Sequence, residues 1–158
     1  MEKLTSPKVI EGILNKYDLH FNKRYGQNFL IDENIVRKIV EAGNVHKNDT
    51  VLEIGPGIGT MTQVLAEAAG KVYSVEIDKK LIPVLAKTLE DCNNVEIIQG
   101  DILKTDIPGL LRTNLQKNPL KIVANLPYYV TTPIIMGFLE SELPIEQMTF
   151  MIQKEVGE

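Results

Sequence analysis

Cysteine is almost absent from this chain of 158 residues, in which Cys92 stands alone. One cysteine can form neither an internal disulfide nor a zinc site built from several thiolates. A single thiol also suits a reducing compartment. We therefore expect a cytoplasmic protein without a metal centre, in which Cys92 is a buried bystander.

Long hydrophobic runs are absent too. No apolar stretch approaches the roughly 20 residues that a membrane-spanning helix needs. The first residues, MEKLTSPKVIEG, lack the apolar segment of a signal peptide. Positive charge is not in excess, because 17 Lys and Arg face 21 Asp and Glu, a formal net charge of −4. A nucleic-acid partner would therefore have to bind a local patch. The length and a hydrophobic content of 44% predict one globular unit.

Residues 51–60, VLEIGPGIGT, are the stretch around which the rest of the chain is organised. Four residues of strand type run into Gly55, Gly57 and Gly59, and an amphipathic helix follows over 60–69. Glycines let a ligand approach the main chain closely, and the first turn of the helix offers unpaired N–H groups. The stretch therefore predicts a nucleotide-binding turn, although the glycines could also serve a tight turn alone.

The spacing of these glycines separates this turn from the dinucleotide fingerprint G-x-G-x-x-G, which is shaped for a pyrophosphate. Here the order is G-x-G-x-G, with Glu53 just before it. Because an acidic residue suits a cationic ligand better than a diphosphate, Glu53 and the three glycines are candidate cofactor-binding residues. The same spacing argues against a dehydrogenase. Gly70 is expected to be the C-cap of the helix that follows.

The remaining pattern alternates strands and helices. Strands are predicted over 51–54, 71–76, 95–99, 121–124 and about 147–152. The first three helices are predicted over 7–17, between an N-cap at Asp32 and Gly43, and over 60–69. Two more are predicted around Leu81–Leu89, after a cap at Asp78, and from Pro133 onward, after a cap at Thr132. Such alternation predicts an α/β fold with a mainly parallel sheet and helices on both faces. Ligands of these folds bind at the carboxyl ends of the strands.

Polar residues follow several of the predicted strands. Glu76 closes the second strand, where a carboxylate can accept two hydrogen bonds from ribose hydroxyls. Asp101 follows the third strand and could accept from the exocyclic amine of an adenine. Glu76 could instead be a solvated acid, and Asp101 an ordinary turn residue.

The fourth strand runs into Asn125, Leu126, Pro127 and Tyr128, which are the candidate catalytic residues. An adenine N6 is a poor nucleophile because its lone pair is delocalised into the ring. The Asn125 side-chain oxygen and the Leu126 carbonyl could accept its two N–H bonds, with Pro127 stiffening the loop. Tyr128 could stack on the base, as aromatic residues do on a base held out of its stack. This chemistry requires no metal.

These motifs resemble a known family. The E-x-G-x-G turn is similar to motif I of S-adenosylmethionine-dependent methyltransferases, and the N-L-P-Y sequence after it resembles the rRNA adenine N6-dimethyltransferases. Within that family the chain looks like the small-subunit (16S) enzymes of the KsgA/RsmA type, on the sequences GQNFL (26–30), EIGPGIG (53–59), EID (76–78), GD (100–101), NLPYYVTTP (125–133) and QKE (153–155).

The resemblance implies a Rossmann-like class I methyltransferase that uses S-adenosyl-L-methionine. It implies cofactor contacts from Asn28, Leu30, Gly55, Glu76, Asp101 and Asn125, and dimethylation of two adjacent adenosines near the 3′ end of small-subunit rRNA during ribosome biogenesis. The basic pair Lys23 and Arg24 could contact RNA phosphates or could be solvated. Residues 1–30 are expected to form an N-terminal helix and a cofactor- and RNA-contacting segment, and residues 31–158 the cofactor-binding catalytic domain.

Three alternatives stay open. The first is a large-subunit rRNA dimethyltransferase of the macrolide-resistance type, the second a non-catalytic nucleic-acid-binding relative, and the third a dehydrogenase. Family members continue beyond QKEV with further strands and a helical domain. We therefore expect this chain to lack those parts, to fold and bind S-adenosylmethionine, to fail on ribosomal particles, and to self-associate through its fifth strand.

Overall fold

The computed structural model describes residues 4–19, 33–111 and 120–153. The helices are α1 (Pro7–Lys16), α2 (Glu33–Ala42), α3 (Thr60–Ala68), α4 (Ile82–Thr88), α5 (Ile107–Leu111) and α6 (Tyr128–Glu140). The strands are β1 (Thr50–Ile54), β2 (Lys71–Glu76), β3 (Val95–Gln99), β4 (Leu120–Pro127) and β5 (Ile145–Gln153). In this part of the chain no helix combines the length and the apolar character needed to cross a bilayer.

The five strands form one sheet in the order β3-β2-β1-β4-β5, and every neighbouring pair is parallel. This confirms the predicted α/β fold. The strand order reverses between β1 and β4, so the carboxyl ends of these two strands flank the switch point at which ligands of open α/β sheets bind. All five residues of β1 are buried, as expected for the central strand of a sheet covered on both faces.

Each face of the sheet packs against its own helices. One face meets α5 and α6 in a cluster that includes Leu52, Ile122, Leu111 and Phe138. On the other face, α2 and α3 pack near the middle of the sheet and α1 and α4 pack toward β3, in clusters that include Val36, Val51, Leu65, Ile10 and Leu85. The glycine turn before α3 therefore emerges between two apolar clusters on this second face.

Two boundaries differ from the predictions around Pro133. The fourth strand runs on to Pro127, and Asn125 to Pro127 pair with β5 instead of forming a loop. Helix α6 then begins at Tyr128, so Pro133 lies inside the helix and Thr132 is not its cap. The prediction that Pro133 is a first-turn residue was wrong. An interior proline costs the helix one main-chain hydrogen bond, and packing of α6 on the sheet can offset this cost.

Gly70 also has a different role from the predicted C-cap. The C-cap of α3 is Ala69, in an extended conformation. A Cβ on Gly70 would collide with the Lys47 carbonyl oxygen, so the main chain passes too close for any side chain. Gly70 is therefore required by close packing between two segments. The predicted cap of Asp78 is confirmed, since its side chain accepts from the Lys80 N–H at 3.0 Å.

A buried ion pair closes the amino-terminal side of the sheet. Lys121 at the start of β4 lies 2.9 Å from Asp49, just before β1, and both side chains are buried. Lys121 also donates to the Asn44 carbonyl, and the Asp49 carboxylate accepts from the His46 N–H at 2.6 Å. The pair therefore joins the α2–β1 connection to β4, and removing either partner would leave a buried charge unpaired.

A second buried carboxyl, that of Glu53, lies between the sheet and α3. Its Oε1 accepts hydrogen bonds from the Thr62 hydroxyl at 2.5 Å and the Ser74 hydroxyl at 2.7 Å. Its Oε2 has no hydrogen-bond partner among the described residues. Burial raises the pKa of Glu53 to about 7, against the lowering effect of the two hydroxyls, and the charge of Glu76 raises it further. The neutral carboxyl is therefore the form that the fold favours.

The raised pKa of Glu53 predicts that its contribution to the free energy of unfolding falls as pH rises. Because its folded pKa lies above 4.5, the contribution is present at acidic pH and is lost as pH rises through about 7. The glutamine side chain introduced by Glu53→Gln carries no charge at any pH. The free energy of unfolding of this variant should therefore increase relative to that of the unmutated chain between pH 5 and 8. The relative gain should be on the order of 3 kcal/mol.

Urea unfolding of both proteins across this pH range measures the effect. Glu96→Gln, which alters an exposed acid on β3, is the matched control. Parallel stability curves for the unmutated chain and Glu53→Gln would contradict the neutral carboxyl.

Candidate active site

The glycine turn between β1 and α3 forms the floor of the site. Gly55, Gly57 and Gly59 all have left-handed main-chain conformations, with φ of 74°, 61° and 98°. Residues other than glycine rarely adopt these angles, so the path of this turn depends on its glycines. A Cβ on Gly55 would lie 3.3 Å from the Asn125 carbonyl oxygen. The first glycine therefore lets the turn pass directly beside the end of β4.

Glu76 at the end of β2 is hydrogen-bonded to the main chain of this turn. One carboxylate oxygen accepts from the Gly57 N–H at 3.1 Å, and the other accepts from the Asp78 N–H at 2.9 Å. The side chain is only 4% exposed. Each oxygen has a second lone pair, so these bonds leave capacity for ligand hydroxyls. Glu76 thus supports the turn in addition to its predicted role toward a ribose, which remains a prediction.

Burial also shifts the titration of Glu76. It raises the pKa to about 7, and the N–H donors of Asp78 and Gly57 oppose this rise because they favour the carboxylate. At neutral pH the Glu76 carboxyl is therefore close to the midpoint of its titration. Its capacity to accept from a ligand hydroxyl should change over the physiological range.

Asn125 lies on the same face of the sheet as Glu53 and Glu76. Val123 is the β4 neighbour of Glu53, Ser74 is its β2 neighbour, and alternation along each strand then puts Asn125 and Glu76 on that face. The fold therefore brings the glycine turn, Glu76 and Asn125 together at the carboxyl ends of three adjacent strands. This is the grouping that the sequence predicts.

Asp101 has a local role that the sequence left open. Its Oδ1 accepts from the Leu103 N–H at 3.0 Å, so it caps the short turn at Ile102–Lys104. The Gly100 N–H donates to the Glu76 carbonyl at 2.9 Å, which holds the end of β3 beside the end of β2. A contact between Asp101 and an adenine amine stays a prediction.

Two exposed apolar side chains near these strand ends were missed. Ile77 directly follows Glu76 and is 40% exposed, and Leu103 follows the capping Asp101 and is 57% exposed. Exposed apolar surface beside buried polar groups suits the face of a nucleobase. An apolar residue between two acids in Glu76-Ile77-Asp78 was the available signal, because a solvated turn seldom needs one.

Several predicted residues are not described or have a changed role. Asn28, Leu30, Lys23 and Arg24 lie outside the described residues, as does the Asp32 cap. Only the main chain of Pro127 and Tyr128 is described, so the functions of their side chains stay predictions. Glu53 is fully buried beneath the turn. Its hydrogen bonds are to Thr62 on α3 and Ser74 on β2, and a direct cofactor contact stays a prediction.

The arrangement suits a ligand that combines a ribose with a base. The Glu76 carboxylate beside the glycine turn can accept from the polar part, and apolar side chains lie at the neighbouring strand ends. A second group could approach over Asn125, whose side-chain amide oxygen is a hydrogen-bond acceptor, and the acceptor role of the Leu126 carbonyl stays a prediction. The geometry therefore leaves room for a nucleoside at the ends of β1 and β2 and for a second group beside β4.

Comparison with solved structures finds methyltransferases of similar fold. The structure of the 23S rRNA methyltransferase ErmE has a TM-score of 0.69 and 33% identity, over 80% of this chain and 48% of that chain. A dimethyladenosine transferase from Plasmodium falciparum has a TM-score of 0.66 and 32% identity, over 78% of this chain and 42% of that chain.

Sequence comparison gives a more specific match. The ribosomal RNA small subunit methyltransferase A of Alkaliphilus metalliredigens is 51% identical over 99% of this chain. The match covers 55% of that relative, so the chain spans about half the length of the curated relatives it matches. The profile of the family described as ribosomal RNA adenine dimethylase matches residues 18–158. The chain therefore belongs to the ribosomal RNA adenine dimethylase family.

Proposed function

We propose that this chain is the cofactor-binding catalytic part of a cytoplasmic enzyme that dimethylates N6 of two adjacent adenosines near the 3′ end of small-subunit rRNA. The methyl donor is S-adenosyl-L-methionine, and the reaction belongs to ribosome biogenesis. The observation that carries the proposal is the approach of Gly55 to the Asn125 carbonyl, 3.3 Å from a Cβ that glycine lacks. That approach brings the donor turn and the acceptor strand side by side.

The described residues fit the donor. The ribose hydroxyls would bond to Glu76, which the Asp78 and Gly57 N–H groups hold in place. Ile77 and Asp101 would receive the adenine, and the glycine turn would pass beneath the methionine part. When bound, S-adenosylmethionine supplies an electrophilic methyl group on a cationic sulfur. The Glu76 carboxyl, when ionised, would favour that positive charge.

The acceptor side needs residues that orient an amine. Asn125 and the Leu126 carbonyl would accept the two N–H bonds of adenine N6, which localises the nitrogen lone pair and points it toward the donor. This role needs positioned acceptors and no metal. Pro127 would limit main-chain movement, and Tyr128 would stack on the base.

Two other functions of the family are distinguishable. The 33% identity to ErmE favours a large-subunit rRNA substrate as the second candidate. The 51% identity to a small-subunit enzyme favours the first. An extended protein that joins this chain to the remaining part of the Alkaliphilus relative should methylate unmethylated small subunits and not large subunits. Binding of either subunit without methyl transfer would indicate a non-catalytic protein.

Glu76→Gln should weaken S-adenosylmethionine binding about 10- to 100-fold, because charge-assisted bonds to the ribose become neutral ones. For the unmutated chain, affinity should rise as pH increases through about 7, since the carboxylate is the stronger acceptor. Titration calorimetry at pH 6, 7 and 8 measures both effects. Glu67→Gln, an exposed acid on α3, is the control. Equal affinities of Glu76→Gln and the unmutated chain would refute this role.

Asn125→Ala should lower methyl transfer by the extended protein on the order of 100-fold, as loss of a positioned polar group does. Folding should be retained. Gln147→Ala removes an amide on the neighbouring strand β5, whose partner is the Ala42 carbonyl, and should leave the rate unchanged. A near-normal rate for Asn125→Ala on small subunits would show that the amine is not positioned by Asn125.

We also propose that β5 mediates self-association of the chain. It is an edge strand of nine residues, with Ile152 55% exposed and with neither lysine nor proline to discourage pairing. Thr149→Lys should shift sedimentation toward the monomer at high concentration, and Glu96→Lys on the opposite edge strand should not. A chain that sediments as a monomer at every concentration would remove this proposal.

A further inference from the structure

The outer side of the glycine turn is held by contacts that do not involve the proposed ligand positions. The Ile58 side chain, 1% exposed, packs in the cluster formed by α1 and α4. Its carbonyl accepts a hydrogen bond from the Thr88 hydroxyl at 2.8 Å, across 30 residues of chain. The turn is therefore attached to α4 by the side chain of Ile58 and by its main-chain carbonyl.

Thr88 also accepts a hydrogen bond, through its main-chain carbonyl. As the last residue of α4, its carbonyl is one of the groups that the helix leaves without an internal partner. The Gln63 amide donates to it at 3.0 Å, and Gln63 lies in the first turn of α3, directly after the glycines. Two side-chain bonds thus connect the turn, the end of α4 and the start of α3.

Thr88 also limits the space around the third glycine. A Cβ on Gly59 would lie 3.0 Å from the Thr88 hydroxyl oxygen and 3.2 Å from Leu89. Gly59 is left-handed, and its N–H donates to the Pro56 carbonyl at 2.9 Å. Glycines lose more conformational freedom on folding than any other residue. A turn with three of them therefore needs external contacts to hold one conformation.

We infer that Thr88 is a positioning residue for the cofactor site: its hydroxyl, bonded to the Ile58 carbonyl, keeps the glycine turn in the conformation that binds S-adenosylmethionine. The inference rests on the proposed cofactor. Thr88 does not touch the proposed ligand positions, and it acts through Ile58 and Gly59. No motif marks it, because the contact joins the end of one helix to a turn 30 residues earlier.

Three variants of this chain test the inference. Thr88→Val keeps the shape and removes the hydroxyl donor, and Thr88→Ser restores the donor without the methyl group. Ser141→Ala is the matched control, since it removes a hydroxyl bond of 2.6 Å to the Phe138 carbonyl at the end of α6. Each is measured by amide hydrogen exchange without ligand and by calorimetric titration with S-adenosylmethionine.

Thr88→Val should raise exchange of the Gly57 and Gly59 amides at least tenfold and weaken S-adenosylmethionine binding about tenfold, which corresponds to about 1.4 kcal/mol. Thr88→Ser should restore both values to within about twofold, and Ser141→Ala should change neither. Unchanged glycine exchange in Thr88→Val would overturn the inference, and so would an equal loss of affinity in Ser141→Ala. Failure of the unmutated chain to bind S-adenosylmethionine would refute the proposed function, while exchange would still decide whether Thr88 holds the turn.

Discussion

The structure depends on a main-chain path that only glycine follows easily, at the point where β1 becomes α3. Three left-handed glycines let the chain turn beside the Asn125 carbonyl and still begin a helix at Thr60. Glu76 binds the inner side of this turn through the Gly57 N–H. The sheet order then brings β4, with Asn125, to the same edge. The proposed donor and acceptor sites are thus neighbours because one turn can pass so close to one strand.

Buried polar groups divide the sheet into two ends with different properties. At the amino-terminal end, Lys121 and Asp49 form a closed ion pair. On the ligand side, neither Glu53 nor Glu76 is paired with a cation among the described residues, and burial raises the pKa of each to about 7. Buried carboxyls of this kind lower the stability of the fold. Natural proteins retain them at functional sites more often than elsewhere. A cationic ligand beside them would reduce that cost.

Much of the fold follows from sequence pattern, because alternating strands and helices allow few topologies. The strand bounds agree to within a few residues, and Glu76, Asn125 and the glycines meet as expected. Sequence reasoning failed where tertiary contacts decide. Pro133 lies inside α6, and Gly70 is required by the Lys47 carbonyl, which no local pattern shows. Thr88 contacts a turn 30 residues earlier in the chain, so the role proposed for it appears only in the folded molecule.

We propose that this edge of the sheet binds S-adenosylmethionine with its ribose on Glu76. A crystal structure of the chain with S-adenosylhomocysteine, the demethylated product, tests it most directly. Both ribose hydroxyls should lie within about 3.2 Å of the Glu76 carboxylate oxygens, with the amino-acid part over the glycine turn. A nucleoside bound elsewhere, or a ribose that makes no contact with Glu76, would show that Glu76 does not bind the cofactor.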